Sequence, residues 1–298
     1  MARRKLSLIG VPTNSAGKLN GVAGAPAALK RAGIMEALCK SNHANDEGVL
    51  AFNLRPTTMR DPGSGIIGPD FLAQMIQTVR GSVSQTLLHD RFPVVIGGDC
   101  PVLLGCLAGA AQSFGRVGVF FVDGHEDAYL PNQSPTGEAA DMELGFALGQ
   151  EVPPLIQDAI GDLLLSPEHV CMFGPRDKQA LQTAGVRSLD NGSIAFYDDV
   201  ALRSSVITHL ASKLTRLLAS KVNRLWLHID LDVLSTRSLP AVDYRQPGGL
   251  NWIQLEKAVK TILSSDSVVG MNLTIYNPDL DPDGRYAARI VRFLQNVL

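Results

Sequence analysis

Two short stretches of the sequence combine acids with a histidine in a spacing suited to metal binding. Each stretch places two acids and one histidine at alternate positions: Asp123, His125 and Asp127 in DGHED, and His228, Asp230 and Asp232 in HIDLD. Because residues two apart in an extended chain point the same way, each stretch presents its three side chains to one side. Carboxylate oxygens with one or two imidazole nitrogens suit manganese or a related first-row metal.

A cysteine occupies a third position of interest. Residues 94–105 read VVIGGDCPVLLG, so Cys100 follows an apolar run that ends in two glycines. A thiolate beside cations has a strongly lowered pKa and can bind metal. Sulfur is also softer than imidazole nitrogen, so zinc, iron or nickel would be acceptable there besides manganese. The alternative is a buried thiol that binds no metal.

The elements that must position these residues are predicted from alternating apolar runs and helical patterns. Strands are expected near residues 5–11, 48–54, 92–97, 117–123, 169–174, 193–197, 223–232 and 268–276. Helices are expected near 26–40, 69–89, 101–114, 200–220, 251–264 and 281–297. The runs VGVFFV and LWLHI lack clean alternation, which is typical of parallel strands covered on both faces. We therefore predict a three-layer α/β/α sandwich with a mainly parallel eight-stranded sheet, in one domain over residues 1–298.

Ligands bind outside the carboxyl ends of the strands in such sheets. The three polar stretches all follow predicted strands, so their acids are expected at one buried edge. Carboxylates crowded in a low dielectric repel one another and raise each other's pKa unless a positive charge lies among them. A divalent cation would relieve that repulsion, and the number of acids is sufficient for two cations.

Composition limits the partners of the protein. The 298 residues include 27 Lys and Arg and 29 Asp and Glu, which gives a net charge of −2. This balance gives no electrostatic reason to expect binding to nucleic acid or an anionic membrane, so a small-molecule substrate is expected. No secretion signal or apolar run of membrane-spanning length is recognised, and the four cysteines are expected to be reduced. These features together predict a cytoplasmic protein.

The order of the motifs resembles that of the ureohydrolase superfamily of arginase, agmatinase and formiminoglutamase. The motifs are GGDC at 97–100, DGHED at 123–127, HIDLDVL at 228–234 and PGGL at 247–250. The resemblance extends to residues 9–34, to GPRD at 174–177 and to YNPDLDPDGR at 276–285. It implies an α/β sheet of eight mainly parallel strands, two manganese ions per subunit and assembly as trimers or hexamers. It also implies hydrolysis of a guanidinium or related C–N bond.

Carried over to this sequence, the resemblance assigns six metal ligands. They are Cys100, Asp123, His125, Asp127, Asp230 and Asp232, with Asp123 and Asp230 as the bridging residues. Cys100 stands where the family has histidine, so the sequence resembles a divergent member of the family at one ligand position.

The sequence also departs from the family pattern at positions that bind the substrate or transfer protons in the family. The proton-shuttling histidine of the family falls on Ala140, its asparagine on Glu138 and its serine on Thr136. The glutamate that grips the guanidinium in arginase falls on Ile275, and the acid after the last ligand pair falls on Ser235. A methyl group cannot carry a proton, so we predict a substrate other than ordinary arginine.

The remaining candidate residues supply substrate contacts and a proton donor. We assign catalytic roles to Asp127, Glu138 and His228, although His228 could instead be a hydrogen-bonded group behind the ligands. Substrate contacts are assigned to Asn14, Thr136, Glu138 and Asp177. Asn14 could equally lie in a solvated loop, and Asp177 could be structural.

The leading hypothesis is a binuclear metal hydrolase that cleaves a C–N bond of a guanidino, amidino, ureido or N-hydroxyguanidino compound. A second hypothesis is a mononuclear metal amide hydrolase that uses His125 with the carboxylates. A third is a catalytically silent protein retained for binding or regulation, since the shuttle histidine and the gripping glutamate are absent. A homo-oligomer is expected under the first hypothesis.

Overall fold

The computed structural model describes residues 4–14, 21–161 and 164–298. Within these ranges eight strands form one sheet in the order β2-β1-β3-β8-β7-β4-β5-β6. The strands are β1 Lys5–Gly10, β2 His43–Val49, β3 Phe92–Ile96, β4 Gly118–Val122, β5 Val170–Phe173, β6 Ala195–Tyr197, β7 Leu225–Asp230 and β8 Val268–Thr274. Each neighbouring pair is parallel. The prediction of a mainly parallel eight-stranded sheet is confirmed.

Eleven α-helices accompany the sheet in the described ranges. They are α1 Ala25–Arg31, α2 Ile34–Cys39, α3 Pro69–Leu88, α4 Val102–Phe114, α5 Glu143–Ala147, α6 Pro154–Ile160, α7 Lys178–Thr183, α8 Asp199–Ser204, α9 Ile207–Lys221, α10 Trp252–Leu263 and α11 Arg285–Val297. None of the described helices has both the length and the apolar character needed to cross a membrane.

The core consists of two hydrophobic clusters, one on each face of the sheet. Successive side chains of β4 point to opposite faces of the sheet and so show this division. Phe120 and Val122 belong to the cluster that includes α1, α2, α9, α10 and α11. Val119 and Phe121 belong to the cluster that includes α3, α4, α5 and α6. All five residues of β4 are buried. Burial on both faces explains the unbroken apolar runs of the central strands and confirms the three-layer arrangement.

Several predicted boundaries differ from the structure. The second strand is His43–Val49 rather than 48–54, because this polar strand pairs only with β1 at the sheet edge and lacks an apolar run. The helix predicted over 26–40 is two helices, since Gly33 adopts a left-handed φ of 85° between them. The helix predicted over 200–220 is likewise divided into α8 and α9. Three short helices, α5, α6 and α7, were not predicted.

Candidate metal centre

The register of the sheet brings the two acidic stretches to the same edge. Val122 of β4 pairs with Ile229 of β7, so Asp123 and Asp230 follow as the next residues on adjacent strands. Ile229 also pairs with Leu273 of β8, which in turn neighbours the last residue of β3. The loops after β3, β4 and β7 therefore meet above the middle of the sheet.

A close backbone approach shapes the turn that carries Cys100. A Cβ atom at Gly98 would lie 1.7 Å from the carbonyl oxygen of Thr13, so only glycine fits at this position. The Gly98 N–H donates to the carbonyl of Val11 at 3.0 Å, and the Gly98 carbonyl accepts from Ile275 N at 2.8 Å. These contacts hold the turn before Cys100 against two neighbouring loops.

Potential ligand atoms form three overlapping groups, in each of which all atoms lie within 4.8 Å of one another. The groups are Cys100, Asp123, Asp127 and Glu143; Asp123, His125 and Asp232; and Asp123, His228 and Asp230. Asp123 belongs to all three groups, as expected of a residue that bridges two cations. The structure thus brings together the six ligands predicted from the sequence and adds Glu143 and His228.

The group around His125 is held by backbone donors. His125 Nδ1 lies 2.8 Å from Asp232 Oδ2 and 3.7 Å from Asp123 Oδ1. The His125 N–H donates to Asp123 Oδ1 at 2.7 Å, and the Gly124 N–H donates to Asp232 Oδ1 at 3.0 Å. Arg176 Nη2 donates to the carbonyl of Asp232. These bonds fix the side chains without using every carboxylate oxygen.

Cys100 lies directly against the acid of β7. Its Sγ donates to Asp230 Oδ2 at 2.7 Å, and Thr274 Oγ1 donates to the same oxygen at 3.2 Å. The Asp232 N–H donates to Asp230 Oδ1 at 2.7 Å. Burial, and then the neighbouring Asp230 carboxylate, raise the pKa of Cys100 well above its ordinary value. A nearby cation would reverse this effect and favour the thiolate.

His228 lies behind the ligands rather than in front of them. Trp226 Nε1 donates to Asn272 Oδ1 at 2.8 Å, so the amide nitrogen of Asn272 faces His228 Nδ1 at 2.7 Å. This arrangement leaves the ring proton on Nε2, which faces Asp123 Oδ2 at 3.4 Å. His228 is fully buried. Its contacts favour the alternative that it positions Asp123, while its direct catalytic role stays a prediction.

The electrostatics of the cluster fit bound cations. Burial and the neighbouring acids raise the pKa values of Asp127, Glu143 and Asp230 well above the ordinary range. Burial lowers the pKa of His125, but the carboxylates of Asp232 and Asp123 outweigh that effect and raise it. Asp123 Oδ2 is buried and has no hydrogen bond in normal geometry among the described residues. Such an oxygen, surrounded by acids, is suited to a divalent cation.

The cluster opens onto a cavity of ≈ 510 Å³. Four predicted ligands line it, namely Cys100, His125, Asp127 and Asp232, and so do all four predicted substrate contacts, Asn14, Thr136, Glu138 and Asp177. Asp123, Asp230 and His228 are fully buried and do not line it. The cavity therefore exposes one side of the metal cluster to a small molecule.

The walls of the cavity carry the departures from the family pattern. Ala140 and Ile275 both line it, so the two positions where the family has a histidine and a glutamate face the cavity with apolar side chains. Ile275 has a φ of 70°, which is strained for a β-branched residue. Asp127 also lies in the left-handed region, with a φ of 46°.

Glu138 forms the acidic wall together with a tyrosine from a distant loop. Tyr244 Oη donates to Glu138 Oε2 at 2.6 Å, and the Glu138 N–H donates to Thr136 Oγ1 at 2.9 Å. The hydroxyls of Ser134 and Thr136 both donate to Asp141 Oδ2. Burial, and then the charge of Glu138, raise the pKa of Asp141 to about 6 against these hydrogen bonds. The Thr136 hydroxyl is thus engaged within its own loop.

Asp177 is another of the predicted substrate contacts that line the cavity. Its Oδ2 accepts from the Glu126 N–H at 3.2 Å, which ties it to the first acidic stretch. Its Oδ1 is buried and accepts no hydrogen bond from the described residues. Burial raises the pKa of Asp177. The geometry accommodates both alternatives for this residue, a structural contact and an acceptor for substrate.

Two residues of the site were missed from the sequence. Glu143 carries a weak signal, because it is an acid within the otherwise apolar run MELGFA. Tyr244 carries no signal in the sequence, since its contact with Glu138 joins residues that are 106 positions apart.

Comparison with known proteins agrees with this architecture. The sequence profile of the Arginase family matches residues 4–298. An arginase from Bacillus caldovelox is 26% identical over 300 residues, which cover 98% of this chain and 97% of that protein. The native structure of a Bacillus caldovelox arginase superposes with a TM-score of 0.86 at 25% identity, over 99% of this chain and 98% of that one. A formimidoylglutamase from Bacillus subtilis shares the fold, with a TM-score of 0.76 at 18% identity over 99% of this chain and 86% of that chain. The chain belongs to the arginase family, whose members are metal-dependent hydrolases of C–N bonds.

Proposed function

We propose that this protein is a binuclear metal hydrolase that cleaves a C–N bond of a guanidino, amidino, ureido or N-hydroxyguanidino compound other than free arginine. The observation that carries the proposal is the buried cluster of acids, His125 and Cys100 that borders the cavity. The preferred metal is manganese, with zinc, iron(II) or nickel as alternatives because of the thiol. We further propose a cytoplasmic homo-oligomer, as a trimer or hexamer.

The cluster would hold the cations in two overlapping sets. Cys100 and Asp127 would hold one cation and His125 and Asp232 the other. Asp123, which lies in both groups, and Asp230, which lies beside Cys100, would contribute to both. When bound, two divalent cations supply an activated water and a Lewis acid for the developing negative charge. The ring of His228, fixed by Asn272, keeps Asp123 in place from behind.

The acidic walls of the cavity favour a cationic substrate. Glu138 and Asp177 line the cavity from different loops and are buried, so a cationic group that contacts either of them would meet little competing water. The hydrogen bond from Tyr244 orients the Glu138 carboxylate. Glu138 can then bind a cationic part of the substrate or donate a proton to the leaving amine.

The cavity also supports the proposal that arginine is not the substrate. Ile275 presents an apolar side chain where arginase has the acid that grips a guanidinium, and Ala140 removes the proton shuttle. A cavity with these replacements has to bind and protonate its substrate through other groups. Glu138 is the candidate, because it lies two residues before Ala140 in the sequence and lines the same cavity. The same replacements support the alternative of a catalytically silent protein.

A turnover screen of the metal-loaded protein tests the proposal. The panel comprises guanidino, amidino, ureido and N-hydroxyguanidino compounds with and without a second positive charge, simple amides, and L-arginine. We expect turnover of at least one C–N compound at a higher kcat/KM than that of L-arginine. Arginine as the best substrate would refute the specificity, and activity on amides with one cation per chain would support the mononuclear alternative. No turnover at full metal occupancy would support the silent alternative.

A further inference from the structure

Glu143 is a buried acid in the metal cluster that the family's six ligand positions do not include. It is the first residue of α5 and is 0% exposed. Its carboxylate lies within 4.8 Å of the ligand atoms of Cys100, Asp123 and Asp127. The residue therefore adds a fifth carboxylate to four that already repel one another.

The backbone holds Glu143 firmly against Asp127. The carbonyl of Asp127 accepts from Leu144 N at 3.1 Å and from Gly145 N at 3.0 Å. A Cβ atom at Gly145 would lie 3.2 Å from the Cα of Ala128, so the start of α5 packs closely on the chain that follows Asp127. The Glu143 carboxylate is thus placed by its backbone rather than by a mobile loop.

Within residues 4–14, 21–161 and 164–298, no structural partner explains the burial of this carboxylate. Apart from the carboxyl of Asp127 and the backbone N–H of Glu143 itself, no described residue faces either Glu143 oxygen as a hydrogen-bond partner, and neither of these two contacts has normal hydrogen-bond geometry. Leaving a buried acid without such partners is costly unless it is neutralised or paired with a cation. Glu126 provides the contrast, because it is equally buried but accepts from Ser188 Oγ at 2.7 Å and from Leu189 N at 2.6 Å.

We propose that Glu143 is a direct ligand of the cation held by Cys100, Asp123 and Asp127. The inference rests on the proposed metal centre and extends its ligand set. A cysteine side chain is shorter than a histidine side chain, and the Sγ of Cys100 is turned toward Asp230 at 2.7 Å. A carboxylate supplied from α5 compensates for the lost imidazole. It also adds a hard oxygen ligand beside the soft sulfur, which favours manganese over softer metals.

The alternative role is a Glu143 carboxyl that only shares a proton with Asp127 and binds no cation. Glu143→Gln separates the two roles, because the amide can still hydrogen-bond to Asp127 but is a poor, uncharged ligand. Glu126→Gln is the matched control, since it removes an equally buried charge outside the cluster.

The experiment reconstitutes metal-free wild type, E143Q and E126Q with Mn²⁺. Bound metal is counted by elemental analysis after desalting, and affinity is measured by competition with a chelator. Loss of an outer-shell partner alone weakens metal binding by about 10–100-fold. We therefore expect one of the two cations to bind at least about 100-fold more weakly in E143Q, with wild-type binding in E126Q. Equal affinity for both cations in wild type and E143Q would overturn the inference.

Two further readouts keep the result unambiguous. Metal-free E143Q should melt no lower than the metal-free wild type, because the amide can keep the contact with Asp127 and brings no charge into the cluster. E143D, which keeps the carboxylate but shortens it, should bind the same cation with intermediate affinity; wild-type affinity in E143D would also count against direct ligation. If the wild type itself binds no cation, the proposed function fails, and this outcome is distinct from a failure of the Glu143 assignment alone.

Discussion

Cys100 sits where two physical effects oppose each other. Without a cation, burial and the Asp230 carboxylate hold its thiol protonated, and Sγ donates to Asp230 Oδ2. A cation in the cluster would outweigh the nearby carboxylate and allow the thiolate to bind. The state of this sulfur therefore reports directly on whether a metal lies among the acids.

Cobalt substitution tests ligation by Cys100. We expect the Co²⁺-loaded wild type to show a near-ultraviolet thiolate-to-metal charge-transfer band, and C100S to lose it. Since serine is a weaker ligand, C100S should also bind Co²⁺ at least about 10-fold less tightly. C106S is the control, because Cys106 is buried in the core away from the cluster and its replacement should preserve the band. A cobalt-loaded wild type without the band would show that Cys100 does not ligate.

Substitution of Glu138 separates its two possible roles. Glu138→Gln keeps the shape of the side chain and removes its charge, and a buried charge-assisted hydrogen bond contributes about 1.5–3 kcal/mol. If Glu138 binds a cationic part of the substrate, KM should rise about 10–100-fold with little change in kcat. Metal content should stay at the wild-type level.

The control for this prediction is Y244F, which removes the hydroxyl that donates to Glu138 Oε2 but retains the acid. Its effect on KM should be smaller than that of E138Q. A fall in kcat at unchanged KM in E138Q would assign Glu138 to proton transfer instead. Wild-type kinetics in E138Q would remove it from the site.

The sequence was informative about those site residues that directly follow apolar strands. Asp123 and Asp230 could be predicted because β4 and β7 are short buried strands whose ends are visible in the pattern. Glu143 could not, because it reaches the cluster through a turn that folds α5 back onto Asp127. A single sequence contains no local signal for such a contact.

Among the secondary-structure elements, the central strands were easier to predict than the edge strand β2 and the points at which helices are interrupted. β3, β4 and β7 are buried on both faces and therefore appear as apolar runs. β2 is a polar edge strand and was misplaced. The division of helix 26–40 depends on the left-handed conformation of Gly33, which sequence periodicity does not reveal.

The junction between β8 and α11 depends on one buried acid. Asp281 is 5% exposed, and its Oδ2 accepts from Tyr276 Oη at 2.7 Å, Tyr286 N at 3.0 Å and Ala287 N at 2.9 Å. Asp281→Ala should lower the free energy of unfolding by about 2–3 kcal/mol, as measured by urea denaturation. Asp279→Ala, at an exposed position nearby, should change it by less than about 0.5 kcal/mol.

The contribution of Asp281 should also depend on pH. Burial raises its pKa, but the hydrogen bonds from Tyr276, Ala287 and Tyr286 outweigh burial and hold the pKa below the ordinary value of 3.8. A carboxyl whose pKa is lower in the folded protein stabilises it above the ordinary pKa and loses that contribution as pH falls through the folded value. The stability difference between wild type and D281A should therefore be full at neutral pH and shrink below about pH 4. A difference that stays constant on acidification would contradict this account.

For the whole molecule, the two-sided core and the metal cluster have opposite energetic roles. Apolar layers on both faces of the sheet stabilise the fold, whereas the acids at its edge repel one another. The three-layer architecture could be predicted from the alternation of strands and helices. Assembly as a trimer or hexamer stays a prediction, since it depends on surfaces that pair with other chains.

Metal removal should therefore destabilise the protein as a whole. A cation present at about 100 times its Kd stabilises the folded state by about 2.7 kcal/mol. For a domain of this size, a chelator should then lower the melting temperature by about 5 °C or more. D232A should show little chelator sensitivity, because the substitution removes a ligand. A wild type whose melting temperature is indifferent to chelation would contradict a structural effect of the metal.

The most direct test of the central claim is the metal content of the purified chain. Protein prepared without chelators, dialysed against Mn²⁺ and desalted should hold about two divalent cations per chain by elemental analysis. D232A, assayed in parallel, should lose both metal and activity. A wild-type chain that holds no transition metal, even after exposure to manganese, zinc, iron(II) and nickel, would contradict the binuclear centre.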